Sequence, residues 1–288
     1  MSNKSVKSIN PSMKINMGGI LLDQPLPMKE INQIDPFLLI HHGALPVEQG
    51  GDQSSSGVGP HPHRGFSPVT FVFEGEVQHQ DSIGNNEIVK AGGTQWMHAG
   101  KGIVHSERPS KALVEQGGFN EIIQFWVNTP SKHKMEEPYY FPLQKSGTPT
   151  IEKDGSTIAI VAGEQDGVKG PAKTYSPQTL LRGEIKEGSE FSLHTPQSYN
   201  TLIYLLDGEI QFGETRAKAR DMVVFNNDGD EIQLKGLENT RFILLSGEPI
   251  GEEINTYGPF VMNTSREIQD AISDYQSGDM GELIESFS

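Results

Sequence analysis

Short apolar runs that end at glycine, proline or asparagine recur along most of the chain. The clearest examples lie at 121–127, 157–163 and 241–247. Runs of this length, rich in β-branched and aromatic residues and bounded by turn residues, are typical of buried strands. Glycine (32) and proline (18) are plentiful, as many short strands joined by turns require. The pattern therefore predicts an all-β protein.

One strand–turn–strand pattern occurs twice. Residues 69–78 (VTFVFEGEVQ) and 202–211 (LIYLLDGEIQ) share the same design at a constant offset of 133 positions. The segment between the two halves is rich in proline and contains an aromatic triplet at 139–141, so we expect it to pack against a domain. The repeat indicates a duplicated β domain.

The periodicity changes near the C-terminus. Thr264 and Glu267 have the spacing of a capping box, in which the threonine caps a helix and the glutamate reaches back to its amide. Apolar residues then follow at helical spacing up to Gly278, a suitable C-terminal stop. We predict a short terminal helix that docks on the sheets.

Composition and charge exclude several classes of protein. No apolar run approaches the roughly 18 residues needed to cross a bilayer, and the N-terminus has no secretory signal, so we expect a cytoplasmic protein. The formal net charge of −15 argues against direct binding to nucleic acid phosphates. The chain has no cysteine, which rules out disulfides, thiolate metal ligands and cysteine nucleophiles.

Two pairs of potential metal ligands stand in the first half: His61 with His63, and His105 with Glu107. Each pair is spaced i, i+2, which on a strand places both side chains on one face. A lone histidine is more often a structural residue than a ligand. Two such pairs on segments that both resemble strands, each preceded by glycines, favour metal binding, and three imidazoles with one carboxylate suit a divalent first-row metal.

The second half lacks these ligands. The offset of 133 places His194 and Pro196 at the positions of the first pair, and an offset of 128 places Gln233 and Lys235 at those of the second. We therefore predict one metal site, in the N-terminal half. Among the other histidines, His98 could line the pocket or support a ligand, and four are interpreted as structural or solvent-exposed: His41, His42, His79 and His133.

Residues 61–66 (HPHRGF) and 95–107 (QWMHAGKGIVHSE) closely resemble the two metal-binding motifs of the pirin family. The ending at 257–264 (YGPFVMNT), followed by DYQSG at 274–278, resembles the pirin C-terminus. The likeness runs over essentially the whole chain. It implies a bicupin of two tandem, jelly-roll-like antiparallel barrels: 1–135 with the metal site, a linker at 136–150, and a metal-free barrel with the terminal helix at 151–288.

By that resemblance, His61, His63, His105 and Glu107 correspond to the four ligands of a mononuclear iron, Fe2+. Other divalent transition metals (manganese, nickel, copper or zinc) suit the same ligands. The chain departs from the family at Ser67, where many pirins have a glutamate that also matches the general cupin motif. We expect metal binding to survive this change, although activity would be altered if that glutamate tunes the pocket or acts as a base.

The resemblance also implies a function, because several pirins are similar in activity to quercetin 2,3-dioxygenases. Such an enzyme opens the central ring of a flavonol, or of a similar enediol, with O2 and releases carbon monoxide. Glu107 is the candidate catalytic residue, either balancing the metal charge or accepting the hydroxyl proton. Five aromatic residues could wall the substrate pocket or simply pack the barrel: Phe66, Phe71, Phe73, Trp96 and Trp126.

Two alternatives stay open from the sequence. Some family members look like iron-dependent regulators that bind transcription factors or metabolic enzymes, and an acidic chain could dock a basic protein partner without turnover. A purely structural metal is the third interpretation, although structural sites favour closed coordination. We expect a monomer whose partners are a small flavonol-like molecule and O2, with no contact to membrane or nucleic acid.

Overall fold

A computed structural model describes residues 2–287 of the chain. Its first twelve strands are β1 (Val6–Pro11), β2 (Met13–Met17), β3 (Ile20–Leu26), β4 (Phe37–Val47), β5 (Val58–His63), β6 (Phe66–Glu74), β7 (Glu76–Asp81), β8 (Asn86–Lys90), β9 (Thr94–His98), β10 (Ile103–Pro109), β11 (Gly118–Asn128) and β12 (Tyr139–Leu143). A short helix, α1 (Lys111–Gln116), precedes β11.

The remaining strands are β13 (Thr150–Lys153), β14 (Ser156–Ala162), β15 (Glu164–Gln165), β16 (Val168–Lys169), β17 (Gln178–Ile185), β18 (Glu190–His194), β19 (Asn200–Leu205), β20 (Glu209–Phe212), β21 (Thr215–Lys218), β22 (Asp221–Phe225), β23 (Glu231–Gly236), β24 (Thr240–Gly247), β25 (Asn255–Tyr257) and β26 (Phe260–Met262). Helix α2 (Ser265–Ser277) follows, and single 3₁₀ turns lie at Gln53–Ser55, Ser131–His133 and Lys145–Gly147.

The strands group into two compact units, each made of two segments of the chain. Unit 1 contains Met1–Leu39 with Ser146–Ile250, and unit 2 contains Ile40–Lys145 with Gly251–Ser288. The two barrels predicted from the sequence, 1–135 and 151–288, were each a single continuous segment and so differ from these units. The chain crosses between the units at 145/146, inside the predicted linker, and residues 139–143 of that linker form β12, which pairs with β9.

Unit 1 has a larger sheet in the order β1-β22-β19-β24-β17-β14-β13 and a smaller one in the order β18-β23-β20-β21. Strand β1 enters this unit from the far end of the sequence, since Val6 pairs with Phe225 and Pro11 with Asp221. The space between the sheets is filled by apolar side chains that include Phe191, Leu193, Ile232 and Leu234.

Unit 2 repeats the design, with strands in the orders β12-β9-β6-β11-β4 and β5-β10-β7-β8. The predicted C-terminal helix is confirmed as α2: the Thr264 side chain accepts from the amide of Glu267, the glutamate returns the bond, and Gly278 ends the helix in the left-handed conformation. Its buried face, including Ile268 and Ala271, packs with Val104 of β10. The all-β bicupin class predicted from the sequence is confirmed.

Among residues 2–287, no helix is both long and apolar enough to span a membrane.

Candidate metal centre

Strand β10 is the middle of the site, with β5 on one side and β7 on the other. His105 lies opposite His61 of β5, and directly cross-strand residues point to the same face of a sheet. Strand β5 is the edge of its sheet and contains two prolines, which an edge strand tolerates because it needs fewer ladder hydrogen bonds. The i, i+2 spacing thus aims both predicted pairs toward the interior of the barrel.

Three of the four predicted ligands come together. Ring nitrogens of His61, His63 and His105 all lie within 4.8 Å of one another. The ring centroids are 4.8 Å apart for His61–His63, 4.4 Å for His61–His105 and 5.0 Å for His63–His105. His63 and His105 are buried, whereas His61 is partly exposed. Imidazoles gathered in this way could hold a metal ion.

Hydrogen bonds to Nδ1 leave the opposite ring nitrogens free to act as ligands. His61 Nδ1 lies 2.8 Å from the carbonyl oxygen of Gly59, and His63 Nδ1 lies 3.3 Å from that of Pro259. A carbonyl can only accept, so each Nδ1 carries the proton and each Nε2 carries a lone pair. Metal-binding histidines are usually oriented by this kind of contact.

The ring of His105 is also contacted at Nδ1, but by another histidine and not by a carbonyl. Its Nδ1 lies 3.4 Å from Nδ1 of His79, and its Nε2 is buried without a hydrogen-bond partner among the described residues. A buried nitrogen without a partner is costly unless something else binds it. The orphaned Nε2 beside two further imidazoles fits a metal ion held by this cluster.

Burial keeps two of the three imidazoles unprotonated. Burial lowers the pKa of His63 and of His105 well below the ordinary value of histidine, and the neighbouring imidazoles lower both further. The two rings are therefore neutral at pH 7, which is the form that binds metals.

Glu107 lies on the same face of β10 but is held by hydrogen bonds outside the group of three imidazoles. Thr70 donates to its Oε1 at 3.1 Å and Gln124 donates to its Oε2 at 2.6 Å. Gln124 in turn accepts from the indole N–H of Trp126 at 3.3 Å. Both carboxylate oxygens are thus oriented from β6 and β11. Glu107, Gln124 and Trp126 are partly exposed, so a small molecule can reach this side of the site.

Of the five aromatic candidates, two lie at the histidines. The ring of Phe66 is 5.0 Å from that of His63, and the ring of Trp126 is 5.4 Å from His63 and 4.3 Å from Phe66. Phe71 follows Thr70 on β6, so its side chain lies on the face opposite to the histidines. It packs there against Phe125. Trp96 pairs with Val69, so alternation places it on that opposite face too. Phe73 is half-buried near a β-bulge.

Ser67, where the chain departs from the family, lies on the face of β6 opposite to the three clustered histidines. Ser67 alternates with Phe66 along β6, and its hydroxyl lies 3.3 Å from Nδ1 of His98. His98 is fully buried there, and burial lowers its pKa to about 4. The hydroxyl of Ser67 thus contacts His98 and not one of the three clustered imidazoles, and the interpretation of His98 as a pocket or supporting residue stays a prediction.

Sequence reasoning missed two residues of the site, His79 and Asp81. His79, interpreted from the sequence as structural or solvent-exposed, is buried and contacts His105, and Asp81 lies opposite His105 across β7 and β10. The signal was present, because His79-Gln80-Asp81 has the same i, i+2 spacing as the two recognised pairs. His42 contacts Glu121 at 3.2 Å, and His133 contacts Glu136.

The interior of unit 1 explains why it lacks this site. On β18 the buried residues are Phe191 and Leu193, opposite Leu234 and Ile232 of β23. His194 alternates with them and is partly exposed, with Asp166 3.7 Å away. The offset of 133 that matched His194 to His61 aligns the strand turns of the two units, but His194 points to the outer face of β18 and not into the barrel. Among residues 2–287, the three imidazoles of unit 2 are the one group of metal-binding side chains within ligand distance.

The arrangement defines a two-cupin protein with a candidate metal centre in one of its barrels. Residues 20–127 match the Pirin family and residues 180–281 match the Pirin C-terminal cupin domain. A pirin-like protein of Solanum lycopersicum is 37% identical over 267 residues, which cover 91% of this chain and 88% of the relative. The chain belongs to the pirin family.

Solved structures agree with this assignment. A crystal structure of quercetin 2,3-dioxygenase from Acinetobacter baumannii is 34% identical and covers 98% of this chain and 100% of its own, with a TM-score of 0.91. A bacterial pirin from Escherichia coli, solved in complex with nickel(II), is 21% identical with a TM-score of 0.67 over 84% of this chain and 99% of its own. At that identity the second likeness shows the fold alone.

Proposed function

We propose that the chain is a metal-dependent dioxygenase of the quercetin 2,3-dioxygenase type, which opens a flavonol or a similar enediol with O2. The observation that carries the proposal is the cluster of three imidazoles beside an oriented carboxylate on a partly exposed side of the barrel. The 34% identity to the quercetin 2,3-dioxygenase of Acinetobacter baumannii over 98% of the chain supports it.

We assign His61, His63, His105 and Glu107 as the ligands, with Fe2+ as the metal. Three imidazoles and one carboxylate are a donor set that suits iron, and manganese, nickel, copper or zinc could compete for it. Bound iron supplies Lewis acidity toward an enediol oxygen and redox chemistry toward O2. Glu107 follows His105 by two residues on the same face of β10, and its oxygens accept from Thr70 and Gln124.

The chain itself orients the substrate and takes its proton. Glu107 is the group assigned to accept the proton of an enediol hydroxyl, and Gln124 and Thr70 orient its two oxygens. Trp126 is partly exposed beside His63 and is backed by the buried ring of Phe66, so it offers an apolar surface against which a flat aromatic molecule can stack.

The test is an aerobic assay of iron-loaded protein with quercetin. We expect loss of the flavonol absorbance with formation of carbon monoxide. His61→Ala should lose both the metal and the activity, because it removes one of three imidazoles from the cluster. His194→Ala is the matched control on the outer face of unit 1 and should keep both.

Two results would contradict the proposal. Iron-loaded protein that leaves quercetin and related enediols unchanged would remove the enzymatic function and favour the regulatory alternative. Loss of the metal in His194→Ala would contradict the assignment of the site to unit 2.

A further inference from the structure

The metal-facing side of unit 2 carries a third pair of residues with the same spacing as the ligands. Asp81 of β7 pairs directly with His105, and His79 pairs with Glu107. Because cross-strand partners point to the same face, His79 and Asp81 enter the barrel interior behind β10, on the side opposite β5. Both are buried, at 1% and 3% exposure.

These residues form one chain of hydrogen bonds that ends at His105. Asp81 Oδ2 lies 2.8 Å from His79 Nε2, and His79 Nδ1 lies 3.4 Å from His105 Nδ1. A carboxylate can only accept, so in the tautomer with a single ring proton His79 carries that proton on Nε2 and presents a lone pair at Nδ1. His105 must then donate from Nδ1. The opposite direction would set the lone pair of His79 Nε2 against the carboxylate.

The direction of this chain fixes the chemical state of His105. With its proton on Nδ1, His105 has its lone pair on Nε2, the buried atom that has no partner among the described residues. That is the atom a metal would bind. His79 is not an alternative ligand in this arrangement, because its free nitrogen faces Nδ1 of His105 and not Nε2.

Both supporting residues are held rigidly. Asp81 Oδ1 accepts from the amides of Ile83 and Asn85 at 3.1 and 2.9 Å, and its Oδ2 accepts from the Asn85 side chain at 2.7 Å as well as from His79. All four lone-pair directions of the carboxylate are therefore used. The ring of His79 stacks on Tyr140 with centroids 3.8 Å apart and an interplanar angle of 2°.

We propose that His79 and Asp81 are positioning residues for the metal ligand His105: they fix its tautomer and ring orientation and raise its basicity. The inference rests on the proposed metal site. A carboxylate placed behind a ligating histidine in this way typically changes metal affinity 10–100-fold when it is removed. The negative charge of Asp81 also favours the more highly charged oxidation state of a bound metal.

The test compares His79→Phe with His79→Gln and Asp81→Asn. Phenylalanine keeps a ring on Tyr140 but makes no hydrogen bond, so we expect Co2+ affinity, measured by competition with a chelator, to fall on the order of 10–100-fold. The absorption bands of bound Co2+ should shift with it. Glutamine can accept from His105 Nδ1 and should recover part of the affinity, and Asp81→Asn should raise the reduction potential of bound iron.

The matched control is His194→Phe, which should leave Co2+ affinity and spectrum unchanged. A His79→Phe/Asp81→Asn double variant should bind no more weakly than His79→Phe, since the chain is already broken. A purely structural role would lower the unfolding temperature of the metal-free variants without changing affinity or spectrum, and that result would overturn the proposal.

The same measurements separate this proposal from the proposed function. Wild-type protein that binds no Co2+ would overturn the metal site and the positioning role together. Wild-type protein that binds Co2+ but leaves quercetin untouched would overturn the enzymatic function alone, and the affinities of the His79 variants would still decide the positioning role.

Discussion

At the scale of single residues, Glu107 is the group in this site with two available roles. Its oxygens accept from Thr70 and Gln124, which orient the carboxylate, and its position two residues after His105 puts it on the ligand face of β10. A carboxylate that is oriented, partly exposed and close to three imidazoles can serve as a ligand or as a base. Variants that keep its shape separate these roles.

Glu107→Gln keeps the size of the side chain and removes its charge and its basicity. We expect kcat toward quercetin to fall by about 10²–10⁴, the usual contribution of a general base, while metal affinity falls less than in His61→Ala because three imidazoles remain. Glu190→Gln, at an exposed position on β18, is the control and should retain full kcat. Full activity of Glu107→Gln would contradict the base role. A fall in metal affinity as large as that of His61→Ala would mean that Glu107 acts only as a ligand.

At the scale of elements, the turn between β5 and β6 determines where His63 and Phe66 point. The amide of Gly65 donates to the carbonyl of Gly100, and the buried ammonium group of Lys134 donates to the carbonyls of Gly65 and Val261 at 2.6 and 2.9 Å. Gly65 has φ +85°, and a Cβ there would lie 2.1 Å from the Val261 oxygen. The turn is thus fixed by close backbone packing against β26.

Gly65→Ala should therefore destabilise unit 2 and weaken metal binding together. The left-handed backbone costs an alanine about 1–2 kcal/mol, and the close contact with Val261 adds about 1–3 kcal/mol. Gly278 has the same φ of +85° with no atom within 4 Å of an added Cβ, so Gly278→Ala should show the backbone cost alone. Denaturant unfolding and Co2+ titration check both variants, and equal losses in the two would refute the argument from packing.

Alternation along a strand determines which residues share a face, but it does not determine which face is buried. The pairs at 61/63 and 105/107 were recognisable because alternation alone places i and i+2 on one face. The repeat aligned the turns at Gly75 and Gly208 correctly, but it did not fix which face of β18 is buried. A shift of one residue moves every side chain of a strand to the other face, which is why His194 was matched to His61 although it points out of the barrel.

Other features depend on contacts between distant segments, which no local pattern contains. His79 and Asp81 matter because β7 lies beside β10, and that neighbourhood is set by the sheet order. Strand β1 pairs with β22 although more than 200 positions separate Val6 from Phe225, so a single break near the middle of the chain could not divide the two units. The fold class followed from strand patterns and turns, which are local.

At the scale of the whole molecule, two units of the same design have interiors of different chemistry. Unit 1 is filled by apolar side chains, while unit 2 carries imidazoles and carboxylates on three adjacent strands. A metal that joins β5 to β10 would have to dissociate before these strands could open. Its effect on stability should therefore be local to unit 2, and hydrogen exchange of backbone amides is the measurement that resolves it.

We expect added Co2+ to slow amide exchange in β5, β7 and β10 and to leave β18, β20 and β23 unchanged. At a metal concentration of 100 times Kd, linkage predicts a gain of about 2.7 kcal/mol in the free energy of opening, or roughly 100-fold slower exchange. His61→Ala should abolish the gain, since it removes a ligand from β5, whereas His194→Ala should retain it. Equal slowing of amide exchange in both units would contradict a site confined to unit 2. Slower exchange in β5 and β10 without β7 would show that the contact between His79 and His105 does not couple β7 to the metal.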